Sequence, residues 1–164
     1  MINLIRNVSL QDLRFTMSHF LGGGIRSPAV RRLAEEAVAD KQDLIAAVYD
    51  MVKLTFPYLP DPYGVELFVH PNRVAEDFFA GRVRGLDCDD MALLNASLLG
   101  SIGYEVEIQL LGNPDLSHAV CVVYSPILQD WLIVDTASNV PLGWDMQAMY
   151  SRKIDVRPMQ RESI

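Results

Sequence analysis

Apolar positions recur at helical spacing through the first third of the chain. Residues 9–20 and 27–55 both carry this spacing. In the second segment one helical face is formed by Leu44, Val48, Met51 and Val52. Ser27 followed by Pro28 favours a helix start, because serine caps free backbone N–H groups and proline fits the first turn. The GGG run at 22–24 predicts a break between the two helical segments.

Proline residues end this regularity at FPYLPDPYG, residues 56–64. The next stretch, 65–83, has no clear period, and we predict only a short helix near residues 74–80. Regular spacing then resumes in RGLDCDDMALLNASLLG, which opens with acids and continues as an apolar segment. This pattern predicts a second, largely buried helical region in the middle of the chain.

The acids in that segment have the positions of helix-starting residues. Asp87 is suited to cap the helix, and Asp90 stands three residues on, as in a capping box. The helix is therefore predicted to begin at Cys88, to run to Ile102 and to end before Gly103. Its first residue, a cysteine, would lie close to the free N–H groups of the helix terminus.

Alternation of apolar and polar residues replaces helical spacing after this helix. YEVEIQLL, at 104–111, is typical of a strand with one buried face. Two more strands are predicted at 117–125 and 131–135, joined through Pro126. The alternating half of the chain therefore predicts an antiparallel sheet of three or four strands beside the helices.

The last two predicted strands bring a histidine and an aspartate together. If a four-residue loop places Tyr124 opposite Gln129, then His118 lies opposite Asp135, and a shift of two residues leaves the pair diagonal on the same face. A carboxylate beside an imidazole holds its tautomer and makes it a better base. Cys121 points to the opposite face of its strand and is predicted to fill the core.

Cys88, His118 and Asp135 together have the residue types of a nucleophile, a general base and an orienting acid. The carboxylates next to Cys88 would raise the pKa of its thiol, so a cation is needed to activate it. We predict that His118 supplies this cation. A zinc site of Cys88, His118 and Cys121 is rejected, because the last two side chains point to opposite faces. No metal and no cofactor are predicted.

These motifs, in this order, resemble the transglutaminase-like superfamily. The resemblance rests on LDCDDMALLNASLLGSIGYEVE, then SHAVCVVY, then WLIVDTA, and it extends over residues 45–145. The flanking DPYGVE and PLGW are most similar to small transglutaminase-like proteins of tailed bacteriophages and prophages. One departure is Leu86, where the superfamily usually has glycine.

The resemblance implies an α+β fold of the transglutaminase-like or papain-like type, with a core helix and N-terminal helices on the antiparallel sheet. It implies one domain over residues 1–164, comprising a helical N-terminal part at 1–44, a catalytic core at 45–145 and a C-terminal extension at 146–164. The Cys-His-Asp site implies thiol-dependent acyl transfer on amides through a thioester. Hydrolysis by a cysteine protease or amidase is favoured over crosslinking by a transglutaminase.

Two questions stay open at this point. The side chain that completes the oxyanion hole could be Tyr58, Tyr63 or Asn72. The rival to an enzyme is a non-catalytic interaction module, built on the same fold, in a phage particle or its assembly. The predicted partners are a protein or peptide substrate and, through the resemblance, phage structural proteins.

Composition and charge further limit the possible partners and the location of the protein. The chain has 164 residues, of which 50% are hydrophobic, so it can form a core without disulfides. With 14 basic and 21 acidic residues the net charge is −7, which argues against a nucleic-acid partner. The start of the chain lacks a signal-peptide pattern and no apolar run reaches membrane-spanning length, so no membrane association is expected. The expected location is cytoplasmic, either in the cytoplasm of a bacterial host or associated with a virion.

Overall fold

The computed structural model describes residues 2–5 and 9–161. Its helices and strands follow in this order: β1 Ile2–Ile5, α1 Leu10–Ile25, α2 Pro28–Val38, α3 Leu44–Thr55, β2 Glu66–Val69, α4 Pro71–Phe79, α5 Cys88–Ser101, β3 Val106–Gly112, β4 Leu116–Ser125, β5 Asp130–Val134 and β6 Arg152–Val156. The predicted domain also includes residues 1, 6–8 and 162–164, which lie outside the described residues.

Side-chain caps explain where the helices begin. In each of the five α-helices of the described chain, the side chain of the residue before the first turn accepts a hydrogen bond from a backbone N–H of that turn. These caps are Ser9, Ser27, Asp43, His70 and Asp87. The predicted starts at Pro28 and Cys88 are confirmed.

The prediction of a break at the GGG run is wrong, because α1 continues through residues 22–24 to Ile25. Close packing explains these glycines. A Cβ on Gly22 would collide with the Met159 backbone, and one on Gly24 would collide with the Ser97 side chain. The glycines therefore let the C-terminal segment and α5 approach α1 closely.

The predicted single helix at 27–55 is two helices, α2 and α3. The chain leaves α2 after Val38 and turns at Asp40, whose φ is 59°. Asp43 then caps α3 by accepting from the Ala46 N–H at 3.0 Å. The helical spacing correctly predicts helix on both sides of the turn. The turn itself could not be predicted, because it contains no glycine or proline.

The main sheet has four antiparallel strands in the order β5-β4-β3-β6. Helix α5 packs on one face of it, and its buried side chains include Leu93, Leu94, Leu98 and Leu99. A smaller apolar cluster covers the other face, formed by Leu111, Val120, Val122, Ile133 and Met146. This arrangement confirms the predicted α+β architecture.

Three strands were not predicted from the sequence. β1 and β2 form a separate antiparallel pair, so the first part of the chain is not wholly helical. β6 lies within the predicted C-terminal extension and pairs with β3. All three are short, at four or five residues. In the described part of the chain, no helix is long and apolar enough to cross a membrane.

The hairpin between β4 and β5 differs from the first predicted register by two residues. Tyr124 pairs with Trp131 and Ser125 with Asp130, so the loop is shifted by one residue at each end. Gln129 belongs to the turn, because it has a φ of 54° and its N–H donates to the Ser125 carbonyl at 2.8 Å. The diagonal alternative considered for His118 and Asp135 is therefore the one that occurs.

Candidate active site

Cys88 is the first residue of α5, held there by a reciprocal capping box. The Asp87 carboxylate accepts from the Asp90 N–H at 3.1 Å, and the Asp90 carboxylate accepts from the Asp87 N–H. Asp90 also accepts from the Val69 N–H at 2.9 Å, which ties the helix start to β2. The acids around the cysteine therefore have the structural role that the sequence predicted.

His118 and Asp135 are brought into contact from neighbouring strands. His118 Nε2 lies 2.8 Å from Asp135 Oδ2. The other carboxylate oxygen of Asp135 accepts from the backbone N–H groups of Ala137 at 3.0 Å and Ser138 at 3.1 Å. The carboxylate is buried and held on both sides, so it can orient the ring.

The charge state of Asp135 follows from these contacts. Burial alone would raise its pKa, but the hydrogen bonds from His118 and Ser138 outweigh burial and lower the pKa below its usual value. Asp135 is therefore ionised near neutral pH. With Nε2 donating to this carboxylate, Nδ1 is the ring nitrogen left to accept a proton.

Cys88 lies close to the strand that carries His118, since the Ala119 N–H is near enough to its sulfur to favour the thiolate. The thiol itself contacts Asp89 Oδ1 at 3.4 Å. Among the described residues, no hydrogen bond joins this sulfur to the His118 ring. His118 therefore contacts Asp135 directly, whereas Cys88 lies near Ala119, the residue that follows His118 in β4.

The sequence predicted that His118 would lower the pKa of the thiol, and in this structure the pKa of Cys88 is raised. Burial is the largest cause, followed by the charges of Asp89 and Asp87, while the Ala119 N–H acts in the opposite direction. The resting thiol is therefore neutral. Activation requires that its proton move to a base during the reaction.

Five carboxylates surround this end of α5: Asp61, Glu66, Asp87, Asp89 and Asp90. Burial, with their mutual repulsion, raises the pKa of Asp87 to about 6 and of Asp90 to about 8, and it raises the pKa of Asp89 well above its usual range. Asp61 and Glu66 were not identified from the sequence, because the fold brings them there from outside the CDD motif.

Tyr58 is the oxyanion-hole candidate that the fold places near the thiol. It forms a parallel bridge with Leu86, and burial followed by the charges of Cys88 and Asp87 raises the pKa of its hydroxyl. Tyr63 is fully exposed instead, and the Asn72 amide accepts from the Ser27 hydroxyl on the far side of α4. The geometry therefore favours Tyr58.

Leu86 stands where glycine is usual in the related motif, and it is fully buried. Its backbone is held on both sides: its N–H donates to the Pro57 carbonyl at 3.0 Å, and its carbonyl accepts from the Leu59 N–H at 2.9 Å. The leucine side chain thus anchors the segment that leads into the cysteine.

Cys121 is fully buried in the main core, on the sheet face that packs against α5. His118 lies on the other face of the sheet, in alternation with Val120 and Val122 of the smaller apolar cluster. Its ring stacks on Tyr150, with 6.4 Å between the ring centroids. The prediction that Cys121 is a core residue is confirmed. Within the described ranges, no group of three or more His, Cys, Asp or Glu side chains is arranged to hold a metal ion.

Comparison with known proteins identifies the fold class. No protein-family model matches the chain, and no curated protein sequence matches it significantly. Among solved structures, a proposed cysteine protease from Cytophaga hutchinsonii is similar at 16% identity and a TM-score of 0.52, over 87% of this chain and 52% of that one. This chain therefore spans about half the length of that protein.

A second similar structure is LapG of Legionella pneumophila, treated with EGTA. It shares 16% identity over 93% of this chain and 82% of that chain, with a TM-score of 0.50. At these identities the comparisons show the fold alone. The chain has the transglutaminase-like or papain-like α+β fold that cysteine peptidases use.

Proposed function

We propose that this protein is a cysteine peptidase or amidase that cleaves amide bonds through a thioester. Cys88 is the nucleophile, His118 the general base and acid, and Asp135 the residue that orients the ring. The observation that carries this proposal is the contact of 2.8 Å between His118 Nε2 and the ionised Asp135, in a fold whose central helix begins at Cys88. A base oriented by a carboxylate and a cysteine at a helix N-terminus are components of nucleophilic acyl transfer.

The reaction begins when the Cys88 thiol gives its proton to His118 Nδ1 and its sulfur bonds to the substrate carbonyl carbon. The carbonyl oxygen becomes an oxyanion, which the Cys88 backbone N–H and the Tyr58 hydroxyl stabilise by hydrogen bonds. The C–N bond then breaks, and His118 returns the proton to the departing amine. Water, deprotonated by His118, attacks the thioester to release the acid and restore the thiol.

Peptide bonds or glutamine side chains are the proposed substrates, following the resemblance in the sequence. Hydrolysis, in which water accepts the acyl group, is proposed in preference to crosslinking to an amine. The resemblance to phage proteins extends the proposal to a phage structural protein as the substrate or partner.

The test compares alkylation and amide hydrolysis in variants made on a Cys121→Ala background. Cys88→Ala and His118→Ala should each lower kcat/KM at least ~1000-fold, since members of such a unit do not act independently. Asp135→Asn should retain the ring but lose its orientation, and should fall between these variants and the parent. If iodoacetamide gave superimposable rate-against-pH profiles in the parent, His118→Ala and Asp135→Asn, the thiol and the imidazole would not communicate and the proposal would fail.

One observation favours the second candidate, a non-catalytic interaction module. The neutral thiol contacts Asp89, and the pKa of the thiol is raised. A module of this kind would show no amide hydrolysis and would alkylate no faster than a free cysteine. The variants above would then change neither property.

A further inference from the structure

A cavity of about 570 Å³ lies between the N-terminus of α1, the loop that ends in β2, and the beginnings of β4 and β6. Its apolar lining includes Leu13, Val65 and Leu116. Its charged lining consists of Asp61, Glu66, Asp115 and Arg152. An apolar wall with a few charged groups at one end is the composition of a site that selects a side chain.

This cavity adjoins the thiol. The Glu66 carboxyl is hydrogen-bonded to Asp89, whose Oδ1 lies 3.4 Å from Cys88 Sγ. On the other side, Leu116 precedes His118 by two residues in β4. Glu66 and β4 therefore connect the cavity to the surroundings of the thiol, so a substrate whose amide lies on Cys88 would place a neighbouring side chain here.

We propose, on the basis of the proposed function, that this cavity binds a lysine or arginine side chain next to the scissile amide. The aliphatic stem of such a residue would cover the apolar wall, and its cationic end would reach Glu66 and Asp115. Three carboxylates face one guanidinium in the lining, so the cavity attracts a cation and repels an anion. Glu66 and Asp115 are both exposed and so can meet a ligand.

Such a substrate would also act on the nucleophile. The carboxylates near Cys88 favour its neutral form, and a cation beside Glu66 and Asp89 would offset part of their field. The substrate would thereby help to transfer the thiol proton. Basic substrates are then favoured both in binding and in the first chemical step.

Binding is measured first, without chemistry, using the Cys88→Ala protein and alanine-based peptide amides. Each peptide carries lysine, norleucine or glutamate at one position, and each position is sampled in turn. Norleucine matches the lysine stem without its charge. At one position, the lysine peptide should bind about tenfold more tightly than the norleucine peptide, the size expected of two partly solvated charge contacts, and the glutamate peptide more weakly than both.

Glu66→Gln and Asp115→Asn, each made in the Cys88→Ala protein, should reduce the lysine preference severalfold, and together they should bring it close to parity. Glu66→Lys should reverse the preference in favour of glutamate. Glu105→Gln is the matched control, because Glu105 is exposed and lies outside this cavity. Thermal unfolding checks that each variant is folded, and the exposed Asp115 supplies an independent test should Glu66 substitutions unfold the protein.

Equal binding of lysine and norleucine peptides at every position would overturn the proposal, as would a preference that Glu105→Gln removes equally well. A preference that appears only when a divalent metal salt replaces chelator in the buffer would also overturn it. These outcomes do not depend on catalysis. A lysine preference in a protein that hydrolyses no amide would instead support the cavity and refute the proposed function.

Discussion

Two acidic sites lie on either side of the segment 82–86: one is Asp77 with its three arginines, and the other is the group of acids around Cys88. Asp77, on α4, is 3% exposed and is contacted by Arg73, Arg82 and Arg84. Burial would raise its pKa, but the three arginines lower it to about 2. Next to Cys88, Asp87 and Asp90 are also buried but form no ion pair with an arginine or lysine among the described residues, and the pKa of Asp90 is raised to about 8.

The difference teaches that the partner, not burial, decides the charge of a carboxylate here. The Asp77 group is ionised and works as an anchor: it holds Arg84, which leads through Leu86 into the capping box at Cys88. The pKa values of Asp87, Asp89 and Asp90 are raised instead, so these acids hold protons more strongly than ordinary carboxyls and can respond to a cation. One group stabilises the fold, and the other sets the chemistry of the thiol.

The largest expected effect comes from removing the anchor. Asp77→Asn leaves three arginines without their carboxylate, and we expect a loss of ~2–3 kcal/mol in the free energy of unfolding, less than for a fully buried pair because two of the arginines are half exposed or more. Urea unfolding measures this. The exposed pair of Arg31 and Glu35 supplies the control: Glu35→Gln should cost at most ~0.5 kcal/mol. Equal losses in the two variants would show that Asp77 is not an anchor.

The second prediction concerns the thiol. Asp89→Asn removes the carboxyl nearest to Cys88 Sγ, which opposes ionisation of the thiol, so the pKa of the thiol should fall by about one unit and its alkylation rate below that pKa should rise about tenfold. The measurement is the iodoacetamide rate against pH on a Cys121→Ala background. Asp77→Asn should leave this rate unchanged. A rate that responds to Asp77 and not to Asp89 would reverse the roles of the two groups.

The third prediction is that pH acts on the two groups in opposite directions. Asp77 has a lowered pKa, so its contribution to stability is full above its unfolded pKa of 3.8 and is lost as the pH falls towards about 2. Asp87 and Asp90 have pKa values raised from 3.8 to about 6 and about 8, so the stability gained from their protonation is full below about pH 3.8 and is lost as the pH rises from there to about 8.

Thermal unfolding between pH 3 and pH 9 measures both effects. The midpoint should be highest near pH 4, where the Asp77 contribution is complete and the loss from Asp87 and Asp90 begins, and it should fall on either side. Asp90→Asn should reduce the decline above pH 5 by about 2–4 °C, which corresponds to ~1 kcal/mol for a chain of this size. An alkaline decline that is the same in this variant and in the parent would mean that Asp90 does not carry a proton in the folded state.

Much of the fold could be predicted because its signals are local. Asp87 and Asp90 mark the start of α5 through capping, and alternation marks β3 and β4. The GGG run was misread because its role depends on Met159 and Ser97, which approach from distant parts of the chain. The short strands β1, β2 and β6 have too few residues to show a period.

In the candidate site, too, the features with local signals could be predicted and those that depend on the whole fold could not. His118 could be placed beside Asp135 because a shift of two residues in the pairing of the two strands leaves both side chains on the same face of the sheet. The raised pKa of Cys88 could not be foreseen from its own segment, since burial is its largest cause and burial depends on the whole fold. Asp77 was missed as well, although Arg73 stands four residues before it, because Arg82 and Arg84 reach it only after the chain turns at Gly81.

The smallest expected effect lies within the Asp77 group. Arg82 is the most exposed of the three arginines, with 66% of its side chain accessible, while Arg84 has 27%. Water already screens the Arg82 contact, so Arg82→Gln should cost ~0.5 kcal/mol in the free energy of unfolding. Arg84→Gln should cost more, since a less exposed charge is lost and Asp77 keeps only its two more exposed partners.

Urea unfolding of both single variants and of each combined with Asp77→Asn completes the test. Coupling to Asp77 should be larger for Arg84 than for Arg82, because the energy of an ion pair increases as its charges leave water. If Arg82→Gln lowered the free energy of unfolding as much as Arg84→Gln, the exposure of an arginine would not determine how strongly it stabilises Asp77. The contrast with the Cys88 acids would then rest on the number of arginines around Asp77 and not on how deeply each is buried.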